Sequence, residues 1–258
     1  MNITITDMSV LIAFWLCFAR WTAIIMQIPL FDHSAVPMNV KILTSLLLAY
    51  AFFPEVSNGL RHEVLTVGQD HFWYLTMIHT GIGLFLGFIL KSFLISFSSA
   101  GSLISQQIGF GAIRYFDPMS ESQVGPFEKL IQWTLLVLII SSGALLPMFK
   151  GIYLSFFSLN TLSMERFAHS PDMILSLFKD LFSISLLLAS PIMFLNLMIN
   201  AVMGVISRMI PQMNIISVSF AVNIGVGLVV FAISSEEFFQ VAFKLYVDKL
   251  GTWFQFVS

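Results

Sequence analysis

From Leu181 to Ser235 the chain carries one ionised side chain, Arg208, set in Ser207-Arg208-Met209-Ile210-Pro211-Gln212-Met213-Asn214. The apolar runs Leu181 to Met203 and Met209 to Ser235 are each long enough to cross a bilayer, since about 20 helical residues at about 1.5 Å each span ~30 Å of hydrocarbon. A lone cation costs roughly 2.5 to 3.5 kcal/mol at the bilayer centre on insertion scales, so Arg208 is expected at an interface, in water or beside a partner. The string therefore reads as a short polar elbow between two spanning helices.

The same pattern recurs along the chain, at Met8 to Phe31 (broken by Arg20 and Pro29), Ile42 to Pro54, Phe72 to Leu90, Ser92 to Ile113 and Leu130 to Phe149. Ile42 to Pro54 is too short to span, at about 20 Å as a helix, and is expected as half of a kinked unit, a re-entrant piece or a segment buried against protein. Phe72 to Ile113, interrupted only by Lys91, is too long for one crossing. It fits either one long bent helix or a tight hairpin, and Gly83 and Gly87 have the spacing that lets helix backbones approach closely.

Hydrophobic residues make up 57% of the chain and charged residues 10%, with a mean hydropathy of +0.90; a soluble chain carries about 25% charged residues. The fold class expected is all-α, a polytopic membrane protein. The N-terminus lacks the basic start and small-residue cleavage site of a signal peptide, so the first apolar run is read as a retained helix. The longest polar connections, Glu55 to His71, Arg114 to Lys129 and Lys150 to Asp180, leave no room for a soluble domain. With six crossings, basic residues outnumber those opposite on the side holding both termini, which places the termini in the cytoplasm. After Glu236, Phe239, Phe243, Tyr246, Leu250, Trp253, Phe254 and Val257 form an amphipathic stripe, suited to a membrane surface or a partner helix.

Several function classes are set aside. The net charge of −2, with Lys and Arg scattered singly, offers nucleic acid no basic field. Cys17 is the only cysteine, so neither a disulfide nor a cysteine-based metal site can form within the chain. Arg61-His62-Glu63 lacks the second histidine of a zinc-protease helix, and the chain has neither a Gly-x-Ser-x-Gly nucleophile elbow nor a Gly-x-x-x-x-Gly-Lys phosphate loop. His79, alone on an apolar face, is read as a hydrogen-bonded core residue. Neither catalysis nor a cofactor or metal is expected. The amides Gln106, Gln107, Asn196, Asn200, Gln212, Asn214 and Asn223 need partners in a low-dielectric setting; they serve as helix-to-helix glue or line a wet path. The loop from Gly109 through Phe110, Gly111, Ile113, Tyr115 and Phe116 to Asp117 and Pro118 mixes glycines with bulky apolar groups, and can present Phe110, Ile113 and Phe116 as a constriction that excludes water.

Ala189-Ser190-Pro191, Gly204, Ser207-Arg208-x-x-Pro211-Gln212-x-Asn214, Phe220 and Gly225 together resemble the C-terminal signature of the FliR/SctT family of type III secretion export-gate proteins. The likeness extends upstream through Ala100-Gly101, Gln107, Gly109 and Asp117-Pro118 to Arg20, Pro29, Pro37 and Lys41, and so covers nearly the whole chain. Ser105-x-Gln107-x-Gly109-Phe110-Gly111 with Asp117-Pro118 is more similar to the flagellar than to the injectisome branch.

The resemblance implies a non-enzymatic channel subunit of the bacterial inner membrane, in the flagellar basal body. It would join FliP and FliQ in the gate, with FlhB at the entrance and FlhA below, and unfolded export substrates would pass through. It also implies a FliP-like part over 1–172 with kinked hairpins and a plug loop at 106–118, a FliQ-like helix hairpin over 173–235 and an amphipathic C-terminal helix over 236–258. By the same resemblance Gly109, Phe110, Gly111, Ile113, Tyr115, Phe116, Asp117 and Pro118 belong to the plug, while Ser207, Arg208, Pro211, Gln212 and Asn214 form an elbow facing neighbouring subunits. An injectisome SctT-type subunit is the alternative within the family. A small-solute secondary transporter is the rival outside it, disfavoured because the long apolar spans lack buried acidic residues for a cation relay.

Overall fold

The computed structural model describes residues 7–28, 36–110, 125–161, 171–210, 212 and 214–257, and the regular structure among them is entirely helical. Seven α-helices are present among the described residues: α1 Met8–Ile25, α2 Met38–Val67, α3 Phe72–Ile108, α4 Pro126–Ser141, α5 Leu145–Ser158, α6 Pro171–Met209 and α7 Ile215–Val257. Five are long and apolar enough to cross a membrane, or six spans if the bent pair α4–α5 counts as one. The all-α polytopic expectation holds.

α1 starts where Asp7 caps it, accepting hydrogen bonds from the Ser9 backbone N–H at 3.1 Å and the Ser9 hydroxyl at 2.6 Å. Those bonds, with the Arg61 guanidinium at 2.5 Å, hold the Asp7 carboxyl below its usual range. Arg20 lies inside α1, so the break expected there does not occur.

α2 corrects two expectations. The short run Ile42 to Pro54 is not re-entrant but the first half of one 30-residue helix that runs through Pro54 to Val67, and Glu55 to His71 is accordingly not a loop. Proline in a helix interior removes a hydrogen bond and clashes with the preceding turn. Here the buried stripe Lys41, Ser45, Ala49, Val56, Leu60, Glu63 and Val64 continues across it, and packing against α1 carries the helix on.

α3 resolves the alternatives for Phe72 to Ile113 in favour of a single helix of 37 residues. A Cβ added at Gly83 would lie 2.6 Å from the Arg20 carbonyl oxygen and 2.8 Å from the Ala23 Cβ, so α3 rests directly on the backbone of α1. At Gly87 the neighbour is Gln27, whose amide donates to the Leu84 carbonyl at 2.6 Å.

The expected continuous run Leu130 to Phe149 is instead two helices, bent by 74° where Gly143 turns the chain at φ +73°. The supposed connection Lys150 to Asp180 is helical at both ends, within α5 and α6. Pro191 sits inside α6 without breaking it: the Leu187 carbonyl, which would have bonded to its missing N–H, accepts the Ser190 hydroxyl at 2.8 Å. The tail after Glu236 is not a separate helix, because α7 continues through it without interruption for 43 residues.

The chain divides into two compact units, one of Met1–Ser92, Ala144–Ile174 and Lys249–Ser258, the other of Phe93–Gly143 and Leu175–Asp248. In the first, Ile12, Leu16, Val64 and Leu75 pack together, and Trp21 stacks on Phe52 with ring centroids 5.1 Å apart. In the second, Ile104, Ile108, Ile131, Ala189, Ile192 and Phe231 form the core.

Candidate functional site

The elbow lies where the sequence puts it, between the end of α6 and the start of α7. Ser207 donates its hydroxyl to the Gly204 carbonyl at 2.6 Å. Arg208 occupies the last turn of α6 and is exposed, where its charge complements the negative end of the helix dipole. Asn214 opens α7, its side-chain oxygen 3.4 Å from the Ser217 N–H in a capping arrangement. Gln212 is exposed, and Pro211 lies outside the described residues.

Of the loop residues expected as a plug, Gly109 and Phe110 are described, while Gly111, Ile113, Tyr115, Phe116, Asp117 and Pro118 lie outside the described residues. The root of the loop is built as a Schellman ending to α3: the Phe110 N–H bonds to the Ser105 carbonyl at 3.0 Å and the Gly109 N–H to the Gln106 carbonyl at 3.1 Å. This ending needs a left-handed residue, which Gly109 supplies at φ +108°. Phe110 stacks on Phe127 with centroids 5.8 Å apart and joins the core of the second unit. The loop thus leaves from a fixed anchor.

Of the amides expected as glue or as a wet path, the side chains of Asn196 and Asn200 form a ladder in the same unit, whereas the Gln106 amide reaches only Ser102 on its own helix, Gln212 is exposed and the buried Asn223 side-chain oxygen has no hydrogen-bond partner among the described residues. Asn196 donates to the Gln107 carbonyl at 2.5 Å, Asn200 donates to the Asn196 side-chain oxygen at 2.6 Å, and the Ser219 hydroxyl donates to the Asn200 oxygen at 3.4 Å. α3, α6 and α7 are therefore joined by polar bonds at the level of the loop root. This is the glue reading, with Asn196 and Asn200 on one helix face four residues apart.

A second constellation, in the first unit, went unseen in the sequence. Arg20, fully buried, donates from one Nη to the Ser155 carbonyl at 2.8 Å and from the other to the Leu159 carbonyl at 2.8 Å, and its guanidinium carbon lies 4.3 Å from the Phe156 ring centroid. Arg20 thereby caps the C-terminus of α5. The Nη bonded to Leu159 also faces His79 Nδ1 at 3.0 Å, and His79 Nε2 lies 3.2 Å from Glu63 Oε2. Guanidinium only donates, so Nδ1 is the acceptor and the Nε2–H donates to the carboxylate: a neutral imidazole bridges a buried cation and a buried anion. The other Glu63 oxygen accepts the backbone N–H of Thr161 at 2.8 Å and its hydroxyl.

His79 is thus a hydrogen-bonded core residue, as read from the sequence. The expectation that buried acidic residues are missing is corrected by Glu63. The clue was present in the spacing, since Glu63 falls three residues after Leu60 and seven after Val56 on the buried stripe of α2. Every group in this cluster except the Arg20 Nε has a partner, so the cluster fastens helices together. Among the described residues no three His, Cys, Asp or Glu side chains are placed to hold a metal ion.

The family described as bacterial export proteins, family 1, matches residues 11–248. The flagellar biosynthetic protein FliR of Bacillus subtilis (strain 168) is 26% identical over 235 residues, covering 89% of this chain and 88% of that protein. FliR of Aquifex aeolicus (strain VF5) is 24% identical over 250 residues, covering 94% and 95%. The surface presentation of antigens protein SpaR of Shigella flexneri is 26% identical over 237 residues, covering 91% and 90%.

Proposed function

The chain belongs to the bacterial export proteins, family 1, a component of flagellar and type III export apparatus, and from that premise we propose that it is a structural, non-enzymatic subunit of the flagellar type III export gate. The observation that carries this reading is a family match running from residue 11 to 248, across both compact units, the loop and the elbow. In this role the chain builds a channel with FliP and FliQ in the bacterial inner membrane at the flagellar basal body, alongside FlhB and FlhA, and unfolded flagellar proteins pass through it.

The loop from Gly109 to Pro118 is the plug, anchored at its root by the Schellman ending and by Phe110 on Phe127. Apolar side chains in a narrow lumen exclude water and ions while yielding to an extended chain. The elbow Ser207, Arg208, Pro211, Gln212 and Asn214 faces neighbouring subunits, where the exposed Arg208 finds a counter-charge. Polar groups spent on fastening helices support a scaffold and leave little to bind a small solute.

An injectisome role is the second reading, because SpaR shares 26% identity with the chain, the same share as the Bacillus subtilis FliR. Removing the chain from its own strain and assaying the culture medium separates the two. Loss of secreted flagellar proteins, restored by the intact chain, supports the flagellar gate. Loss of other secreted proteins with flagella intact supports the injectisome, and unchanged secretion of both overturns the proposal.

A further inference from the structure

We propose that a groove between α6 and α7 binds one phospholipid whose headgroup ends in a primary ammonium, an inference that needs the membrane location of the chain but not the gate reading. The groove, about 210 Å³ in volume, has walls of Leu187, Leu188 and Pro191 on α6 and of Phe231, Phe238 and Val241 on α7. Ser234 and Glu237 supply its polar edge. A helix about 10 Å across is too thick for that space, whereas the upper part of one acyl chain fits it.

Charge places the groove at the edge of the hydrocarbon. The uncharged stretch of α7 from Ile215 to Ser235 is 21 residues, about 31 Å as a helix, and so matches ~30 Å of hydrocarbon. Glu236, Glu237, Lys244, Asp248 and Lys249 follow it, and on α6 the last charges before the uncharged run are Lys179 and Asp180. Both helices therefore carry these charges at the end away from the elbow, where headgroups lie. Phe231 is on the hydrocarbon side of the groove and Glu237 on the headgroup side.

The polar edge asks for a donor that carries positive charge. The Ser234 hydroxyl donates to the Val230 carbonyl at 2.8 Å, so its oxygen is left to accept, and the exposed Glu237 carboxylate only accepts. Among the described residues no hydrogen bond or ion pair takes up that carboxylate, whereas the adjacent Glu236 accepts the Gln240 amide at 3.2 Å. Lys244 is exposed on the same face of α7, seven residues and about 10.5 Å further toward the headgroups. Side chains lean toward the N-terminus of their helix, which brings its ammonium back toward Glu237. A lipid ammonium on Glu237 with its phosphate beside Lys244 satisfies both charges, and an acyl chain then enters between Leu188 and Phe231. A headgroup with phosphate and no ammonium would leave Glu237 facing an anion.

The test melts the full chain, purified in detergent and stripped of lipid, with added phosphatidylethanolamine, phosphatidylcholine or phosphatidylglycerol. A ligand that binds the folded state raises its melting temperature. We expect phosphatidylethanolamine to do so at a concentration about tenfold lower than the other two, since the choline headgroup has no N–H to donate and glycerol has no charge to offer Glu237. Glu237→Gln should weaken that binding about tenfold, the scale of one charged hydrogen bond. Val241→Trp, which fills the groove from a position 43% exposed, should abolish it, and Glu236→Gln should leave it unchanged. An equal response of the unaltered chain to all three lipids would overturn the proposal whatever the variants do. Equal losses from Glu236→Gln and Glu237→Gln, or a preference that survives Val241→Trp, would overturn it too. So would a Glu237→Gln chain that keeps its lipid preference but recovers less membrane complex, which assigns the groove to a basic side chain of a neighbouring subunit. Because the lipid measurements use the chain alone, failure of the gate reading does not alter them.

Discussion

Arg20 and Glu63 show how this chain carries opposite charges inside an apolar helix pack. Each is nearly or fully buried, and the neutral His79 links them while both ends also bind the chain around Ser155 to Thr161. Removing one partner of a buried ion pair leaves the other charged and unpaired, at a cost of roughly 3–5 kcal/mol. Glu63→Gln is expected to lower stability by about that amount, seen as a clear fall in melting temperature in detergent; a variant that melts as the unaltered chain does would show the pair to be idle. His79 was legible as a core histidine because a lone imidazole among apolar residues needs a hydrogen bond. Its partner was not legible, because Glu63 lies beyond Pro54 in a stretch whose exposed polar residues mask the buried stripe. The elbow string was readable for a simpler reason: Arg208 at a helix end and Asn214 at a helix start are local signals that act without tertiary context.

At the scale of elements, the close approach of α3 to α1 depends on Gly83. Gly83→Ala is expected to destabilise by about 1–3 kcal/mol, because its Cβ would press on the Arg20 carbonyl and the Ala23 side chain. Gly81, with nothing within 4 Å of an added Cβ, is the control: Gly81→Ala should be neutral or gain up to about 1 kcal/mol of helix propensity. Equal melting temperatures for the two variants would contradict the packing described. Helix type was legible from apolar length, but helix number and helix ends were not. Pro54 and Pro191 both lie inside helices, since tertiary packing at one and the Ser190 hydroxyl at the other replace what proline removes. Conversely, the uninterrupted apolar run Leu130 to Phe149 hid a 74° bend that only Gly143 signalled.

At the scale of the whole molecule, the proposed gate role makes the loop rooted at Gly109 the plug of the channel. Deleting 109–118 is expected to let small ions leak through the assembled gate while assembly persists, read as raised membrane conductance in the deletion strain; unchanged conductance would remove the loop from the plug role. Family membership was legible from the Ser207 to Asn214 string together with Gly109, and the match over 11–248 bears it out. The neighbours were not legible as contacts, because a single sequence does not record which of its exposed apolar residues meet protein and which meet lipid. The most direct measurement is therefore affinity purification of the tagged full chain from membranes of its own strain, with the co-purifying proteins identified by mass spectrometry. The gate account predicts a stable complex containing FliP and FliQ; recovery of the chain as a monomer, with neither protein bound, would contradict it.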